Sequence, residues 1–262
     1  MSKYNLICGD CLQKMQAIPD ASIDLILCDL PYGTTSKNKW DSIIPFDGLW
    51  KAYNRIIKDN GAILLFGQPP FSSELIVSNK KMFRYEWIWQ KTLPQGFLNS
   101  NKMPLRATEN VSVFYKKLPM YNPQMKDGKP YNKGIRKANC TMNYGDFGET
   151  IAKNETGRRF PTNVLAFSNG NHKNILHPTQ KPVALLSYFI KTYTNEGDTV
   201  LDNCMGSGST GVACANTDRD FIGIELDENY FNIAKNRIEA AYNAPRLFTE
   251  NGQKTNFNRC KV

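Results

Sequence analysis

Long apolar runs are missing from this sequence of 262 residues: none approaches the ~20 residues that a membrane-spanning helix needs, so we expect no contact with a membrane. A secretory signal peptide is also missing, and the cysteines number seven, an odd count. We therefore expect reduced thiols and a cytoplasmic protein. Cys8 and Cys11 form a C-x-x-C, but the other possible zinc ligands are scattered along the chain, so we expect no metal site.

Acidic residues are the next shortage, with 24 Asp and Glu against 33 Lys and Arg and a net charge of +9. The excess is concentrated between Lys116 and Lys173, which contain eleven basic and four acidic residues. Such a surplus indicates a polyanionic partner without identifying it. The length fits one large α/β domain that carries an inserted module.

Strand-like runs recur along the chain, and several are continuously apolar, as expected for parallel strands that are buried on both faces. The seven runs are Tyr4–Cys8, Ile23–Cys28, Ala62–Phe66, Tyr85–Gln90, Asn110–Tyr115, Thr199–Asp202 and Phe221–Glu225. Helical patterns alternate with them. This alternation predicts a doubly wound, mostly parallel seven-stranded α/β sheet of the Rossmann-like kind, with an inserted region where the pattern breaks down.

Three of the helical patterns carry signals for where a helix begins. An apolar face covers residues 46–57, with Asp47 predicted as the N-cap and Asn60-Gly61 as the stop. Pro182 is predicted to open a helix that runs through Tyr193, and Asp227 is predicted to cap the last helix.

A glycine-rich turn follows the strand that ends at Asp202. Residues 206–211 read Gly-Ser-Gly-Ser-Thr-Gly, a G-x-G-x-x-G pattern, and Glu225 follows at about the spacing of a ribose-binding acid. A nicotinamide oxidoreductase would fit the motif alone, as would a turn that only packs a helix on a strand. However, residues 203–205 separate the strand from its glycines, and only 56 residues follow Gly206, too few for the remaining strands of a dinucleotide fold.

The tetrad Asp29-Leu30-Pro31-Tyr32 follows the apolar run Ile23–Cys28. An exocyclic base amine is a poor nucleophile because its lone pair is delocalised into the ring. The Asp29 carboxylate and the Leu30 carbonyl could each accept one amine hydrogen, with Pro31 restricting the direction of that carbonyl. Tyr32 offers a face for stacking a flipped base, a contact worth about 1–3 kcal/mol. An ordinary turn after a strand is the alternative interpretation.

With these motifs the chain resembles the bacterial and phage DNA amino-methyltransferases of the beta group, in which the catalytic tetrad precedes the cofactor glycines. The resemblance implies that S-adenosylmethionine is the cofactor and that Asp29, Leu30, Pro31 and Tyr32 are catalytic. The cofactor-binding residues that it implies are Asp10, His177, Pro178, Thr179, Gln180, Lys181, Asp202, Gly206, Ser207, Gly208, Ser209, Thr210 and Glu225. The segment from His177 to Pro182 is the most specific of these matches.

Three positions depart from the family pattern. Leu30 replaces the first proline of the tetrad, which keeps the carbonyl but loses rigidity. Asn203-Cys204 replaces Pro-Phe, and Thr108-Glu109 stands where a His-Glu pair is common. None of these changes removes a group that the chemistry above requires.

Residues 118–174 break the pattern of strands and helices, so we expect either an inserted recognition module or a partly disordered arm there, and a polar tail over 246–262. The resemblance implies that residues 1–117 and 175–245 are the catalytic and cofactor-binding halves and that 118–174 recognises the target. Extrusion of the base from a DNA duplex is expected. The residues predicted to bind DNA are Lys37, Lys39, Trp40, Arg136, Lys137, Arg158 and Arg159.

Adenine N6 is favoured over cytosine N4 as the target because Asp leads the tetrad, whereas cytosine enzymes of this family more often begin with Ser. A homodimer and a cognate restriction endonuclease are further partners that this family suggests. Two alternatives from other classes stay open at this point: a nicotinamide oxidoreductase, and a nucleic-acid-binding protein without catalysis.

Overall fold

A computed structural model of the chain describes residues 3–33, 42–137, 139–141, 145–169, 180–244, 246–248 and 254–256. Its α-helices in these ranges are α1 (Cys11–Lys14), α2 (Phe46–Ile56), α3 (Phe71–Ser78), α4 (Val183–Tyr193), α5 (Ser209–Asn216) and α6 (Glu228–Asn243). The strands in the same ranges are β1 (Tyr4–Cys8), β2 (Ile23–Cys28), β3 (Ile57–Gly67), β4 (Phe83–Gln95), β5 (Arg106–Phe114), β6 (Tyr131–Arg136), β7 (Asn139–Thr141), β8 (Gly145–Phe147), β9 (Thr150–Asn154), β10 (Val164–Phe167), β11 (Thr199–Asp202), β12 (Asp220–Glu225), β13 (Arg246–Phe248) and β14 (Lys254–Asn256).

Eight of these strands form one sheet in the order β1-β12-β11-β2-β3-β5-β4-β10. Every neighbouring pair is parallel except the two pairs that involve β5, which runs antiparallel to β3 and to β4. The mostly parallel α/β fold is thus confirmed, and all seven predicted strands lie in this sheet. The eighth strand, β10, pairs with β4 at the edge and was not predicted.

Helices cover both faces of the sheet, as a doubly wound fold requires. Strand β2 shows how the sequence produces this arrangement: Leu25 and Leu27 belong to one hydrophobic cluster, with residues of α4, α5 and α6. Ile26 and Cys28, which alternate with them, belong to the other cluster, with residues of α1, α2 and α3. Successive side chains of a strand point to opposite faces, so a continuously apolar strand is buried from both sides.

The helix starts test the predicted caps. Asp227 is confirmed as the N-cap of α6, because its carboxylate accepts the N–H groups of Asn229 at 2.9 Å and Tyr230 at 3.0 Å. Pro182 is the N-cap of α4, which ends at Tyr193 as predicted. The prediction for Asp47 is wrong, since α2 begins at Phe46 and its N-cap is Pro45, two residues before the predicted cap.

The predicted stop of α2 at Asn60-Gly61 is also wrong. The helix ends at Ile56, and Ile57 already has extended backbone angles. Both Ile56 and Ile57 are buried, and β3 starts directly at Ile57, so Asn60-Gly61 lies inside the strand. Burial of the isoleucine pair therefore decides the boundary rather than the turn propensity of the Asn-Gly pair.

Residues Pro123–Thr162 form a compact unit of their own. It contains the antiparallel pairs β6–β9 and β7–β8. Arg159 holds the unit together: its backbone pairs with Lys126, its guanidinium donates to the Lys129 carbonyl at 2.6 Å, and it lies 4.8 Å from the centre of the Tyr131 ring. The remainder of the chain forms the second unit, which contains the large sheet. Within the described residues, no helix has the length and apolar character needed to cross a bilayer.

Candidate active site

Four acidic residues lie where neighbouring parallel strands end. Asp10 follows β1, Glu225 ends β12, Asp202 ends β11, and Asp29 follows β2. These four strands are adjacent and parallel, so their carboxyl ends meet at one edge of the sheet. Open α/β sheets bind their ligands at this edge.

A cavity of about 370 Å³ opens at the same edge. The residues predicted from the sequence that line it are Asp10, Asp29, Leu30, Pro31, Tyr32, Gln180, Lys181, Asp202, Gly206, Ser207, Ser209, Thr210 and Glu225. The structure therefore brings the tetrad and the glycine-rich turn to one pocket. His177, Pro178 and Thr179 lie outside the described residues.

Glu225 connects the glycine-rich turn to the strand edge. Its carboxylate accepts the N–H of Gly206 at 2.8 Å and the N–H of Asp227 at 2.9 Å. Burial raises the pKa of Glu225, while these backbone hydrogen bonds act in the opposite direction. Each carboxylate oxygen has a second lone pair, so Glu225 can still accept hydrogen bonds from a ligand in the cavity.

Asp202 fixes the start of α5. Its Oδ2 accepts from the Thr210 hydroxyl at 2.6 Å, and its Oδ1 accepts from the Cys204 N–H at 3.1 Å. Only 4% of the residue is exposed, and burial raises the pKa of the carboxyl to about 6. The neighbouring Ser209 hydroxyl is buried and has no hydrogen-bond partner in the described part of the chain, although it lines the cavity.

The glycines of the turn divide into two groups. Gly206 lines the cavity, with φ of +50°. Gly208, with φ of +79°, packs against α6, and a Cβ there would lie 2.9 Å from the Cβ of Ala234. A Cβ on Gly211 would lie 2.5 Å from Ile238. The motif thus packs α5 against α6 and also contributes to the wall of the cavity.

Asp10 has a structural partner as well as a place on the cavity wall. Its side chain is the N-cap of α1 and accepts the N–H of Gln13 at 2.9 Å. The preceding Gly9 donates its N–H to the Glu225 carbonyl at 2.8 Å, which joins β1 to β12 at the cavity.

The tetrad is held by contacts that the sequence did not predict. The Tyr32 hydroxyl donates to Oδ1 of Asp29 at 2.6 Å and lies 3.2 Å from Oε1 of Glu109. One face of the Tyr32 ring stacks on Phe71, with ring centres 4.9 Å apart. Because Tyr32 also lines the cavity, it can still present an aromatic surface there. Leu30 is buried beside it, with 3% exposed.

Lys181 joins the buried carboxylate of Glu109 to the partly buried carboxylate of Asp29. Its ammonium lies 2.5 Å from Oδ2 of Asp29 and 2.9 Å from Oε1 of Glu109. Glu109 also pairs with Lys91, whose ammonium lies 2.7 Å from Oε2 of Glu109. The same ammonium donates a hydrogen bond to Oε1 of Gln95 at 3.0 Å. Sequence reasoning missed Lys91 and Phe71, and it treated Glu109 only as the neighbour of a missing histidine. The available signal for Lys91 was the period of two in β4, which places it on the same face as the buried Trp87 and Trp89.

The charged groups of this cluster shift one another's pKa values. Burial raises the pKa of Asp29, Glu109 raises it further, and Lys181 opposes both. Burial disfavours the Lys181 ammonium, but Asp29 and Glu109 outweigh that effect and raise its pKa. Burial also opposes ionisation of Glu109, yet Lys181 and Lys91 together lower its pKa. Burial, Asp29 and Glu109 raise the pKa of Tyr32. The phenol therefore stays a neutral hydrogen-bond donor.

The predicted DNA-binding residues fall into three groups. Lys37, Lys39 and Trp40 lie outside the described residues, as does the side chain of Arg136. Lys137 and Arg158 are exposed. Arg159 is half-buried and bonded to the Gly157 and Lys129 carbonyls, so part of its role is structural.

The strand order and the position of the cavity define a doubly wound α/β protein whose ligand site lies at the carboxyl ends of the parallel strands. Solved structures share the fold. M1.HpyAVI in its complex with SAM superposes with a TM-score of 0.62 at 24% identity, over 90% of this chain and 98% of that one. The PvuII cytosine-N4-specific DNA methyltransferase superposes with a TM-score of 0.64 at 20% identity, over 93% of this chain and 92% of that one.

The family follows from the sequence match. The N6/N4 methylase family model, described as DNA methylase, matches residues 23–236, and the chain belongs to this family. It is 29% identical over 255 residues to the type II methyltransferase M.HpaI of Haemophilus parainfluenzae, over 91% of this chain and 75% of that protein. It is 28% identical over 265 residues to the type II methyltransferase M.HinfI of Haemophilus influenzae, and this match covers 88% of this chain and 67% of that protein. The resemblance drawn from the motifs is confirmed, and the nicotinamide alternative is set aside.

Proposed function

We propose that this DNA methyltransferase transfers a methyl group to N6 of an adenine that has been flipped out of a duplex, with Asp29, Leu30, Pro31 and Tyr32 as the catalytic residues. The observation that carries the proposal is the shared cavity, which the tetrad lines together with the glycine-rich turn and Glu225. A base amine and a nucleoside cofactor can therefore meet in one enclosed space, where proximity and orientation lower the barrier.

S-adenosylmethionine is the cofactor that the family assignment supports. The cavity suits such a group, because it offers buried acceptors for hydroxyl and amino hydrogens and an unpaired hydroxyl on Ser209. The described residues that would hold the cofactor are Asp10, Gln180, Asp202, Gly206, Ser207, Ser209, Thr210 and Glu225. When bound, it supplies a methyl group on a sulfonium, which is an electrophile with a neutral thioether as its leaving group.

The tetrad would prepare the amine. Asp29 keeps one lone pair on each carboxylate oxygen beyond its bonds to Tyr32 and Lys181, so it can accept an amine hydrogen. The Leu30 carbonyl would accept the second hydrogen. Both contacts would favour a pyramidal nitrogen with a localised lone pair, which would form the new N–C bond directly as the methyl carbon leaves the sulfur. The methylated nitrogen would then lose one proton, through the Asp29 carboxylate or to water. No covalent enzyme intermediate is needed, and electrostatic preorganisation supplies the catalysis.

Adenine is favoured over cytosine as the target because Asp29 leads the tetrad; both amines would need the same two acceptors. Incubation of the protein with S-adenosylmethionine and mixed-sequence duplex DNA, followed by nucleoside mass spectrometry, tests this choice. We expect N6-methyladenine. Detection of N4-methylcytosine alone would reverse the base assignment, and no methylated base at all would favour a binding protein without catalysis.

Target recognition is proposed for the inserted region, 118–174, which contains the compact unit Pro123–Thr162. Support comes from its basic character and from the exposure of Lys137 and Arg158. A homodimer, a cognate restriction endonuclease and a cytoplasmic location stay predictions.

A further inference from the structure

Asp29 lies in a cluster of buried charges that extends well beyond the cavity. Lys181 precedes α4, Glu109 lies on β5 and Lys91 on β4, so the cluster joins three separate parts of the sheet unit. The side chains of all three are at most 9% exposed. Burial of four charges is costly, and it is tolerated only when each charge has close partners of opposite sign.

The contacts form a chain that runs from Lys91 through Glu109 and Lys181 to Asp29. Lys91 pairs only with Glu109 among the carboxylates of the described residues, while Lys181 lies between Glu109 and Asp29. Asp29 is thus the one member of the cluster whose carboxylate lines the cavity and whose remaining lone pairs are available to a substrate. The other carboxylate, Glu109, is neutralised from two sides.

We propose that Lys181, Glu109 and Lys91 are positioning residues for Asp29: the Lys181 ammonium, held in place by Glu109 and Lys91, keeps Asp29 charged and oriented toward the cavity before the base arrives. This inference rests on the proposed function, and it assigns the Lys181 ammonium to the catalytic carboxylate rather than to the cofactor. Charged and titratable groups that face Asp29 are Tyr32, Lys181, Glu109, Asp202 and Cys28.

Removing the positive charge of Lys181 and removing the negative charge of Glu109 should shift the pKa of Asp29 in opposite directions. Lys181→Met leaves two buried carboxylates without the shared cation, so the pKa of Asp29 should rise further. Glu109→Gln removes a like charge near Asp29 but keeps an oxygen that accepts from Lys181, so the pKa of Asp29 should fall. A merely structural role would not move the two variants in opposite directions.

The experiment measures single-turnover DNA methylation against pH at saturating S-adenosylmethionine and DNA, for wild type and both variants. The acid limb of the profile should move to higher pH in Lys181→Met and to lower pH in Glu109→Gln. Below its new limb, Lys181→Met should lose about tenfold in rate for each pH unit by which the limb has moved. Cofactor affinity, measured by calorimetry, should stay within about twofold of wild type, since a lost charge-assisted contact would cost more.

Lys58→Met is the matched control. It removes the partner of Asp24, 2.7 Å away, at the other end of the same strand β2, and it should leave the acid limb unmoved. Thermal unfolding of each variant reports whether it folds, and if Lys181→Met does not, the downward shift in Glu109→Gln decides the question.

An unmoved limb in the folded variants would overturn the inference, as would a large loss of cofactor affinity in Lys181→Met with a normal pH profile. If the wild-type protein transfers no methyl group, the proposed function itself fails, and the inference fails with it.

Discussion

Asp202 is a buried carboxylate whose ionisation opposes folding. Its pKa is about 6 in the folded protein, raised by burial from an ordinary value of 3.8. Between about pH 4 and pH 6 the folded state therefore binds more protons than the unfolded state, and stability falls as the pH rises through that window. The cost above pH 6 is about 3 kcal/mol, since a pKa difference of one corresponds to about 1.4 kcal/mol. This is the expected signature of a carboxylate retained for its site.

Asp202→Asn tests that account of stability. The variant should be more stable than wild type at pH 7.5, by roughly 1–3 kcal/mol, because it removes the buried charge but keeps an oxygen that accepts one hydrogen bond. Urea unfolding at pH 4 and pH 7.5 measures the difference, which should largely vanish at the lower pH. A variant that is less stable than wild type at pH 7.5 would show that the hydrogen bonds to Thr210 and Cys204 outweigh the burial cost.

At the scale of elements, the contact between α5 and α6 depends on Gly208. Gly208→Ala would place a Cβ at φ of +79° and 2.9 Å from Ala234, so the helices would have to separate. Gly197→Ala is the matched control: it has φ of +84° but no atom within 4 Å of the added Cβ. The control should lose only about 1–2 kcal/mol of unfolding free energy from the backbone, and Gly208→Ala should lose more. Equal losses, measured by urea unfolding, would show that the α5–α6 contact is loose at this point.

The strands most accessible to sequence reasoning were short, largely apolar runs with a turn directly after them. Residues 4–8, 23–28 and 199–202 were predicted with the observed bounds, because each is a compact, largely apolar run with a turn after it. The edge strand β10 was missed: Val164–Phe167 is an apolar run, but it has only four residues and lies inside the region 118–174 that the sequence predicts to be the insertion. The α2–β3 boundary was also wrong, since burial of Ile57 overrode the turn signal of Asn60-Gly61.

The features of the candidate site also fall into two groups: those that a local motif identifies and those that depend on contacts between distant parts of the chain. The tetrad and the glycine-rich turn are local motifs, so their residues could be identified from the order of amino acids alone. The contacts of Lys181 with Asp29 and Glu109 join residues 152 and 72 positions apart, and no local pattern specifies such pairs. Phe71, which supports the Tyr32 ring, is likewise distant in sequence.

At the scale of the whole molecule, the net charge of +9 predicts binding to DNA that weakens steeply with salt. If the inserted region is the docking surface, Lys137→Ala with Arg158→Ala should weaken binding to duplex DNA and lower the slope of log affinity against log salt by about two. Lys80→Ala with Lys81→Ala is the matched control, because both residues are exposed and precede β4, at the sheet edge opposite to Asp29. Equal losses from the two pairs would exclude the inserted region as the docking surface.

The central claim is that Asp29 acts on the target amine and not on the cofactor. Single-turnover methylation by Asp29→Ala, at saturating S-adenosylmethionine and DNA, tests it most directly when cofactor affinity is measured on the same sample. The account predicts that methyl transfer is abolished, because the amine loses its carboxylate acceptor, while cofactor affinity stays nearly unchanged. Substantial methylation by Asp29→Ala would contradict the mechanism, even in a protein whose wild type proves to be an active DNA methyltransferase.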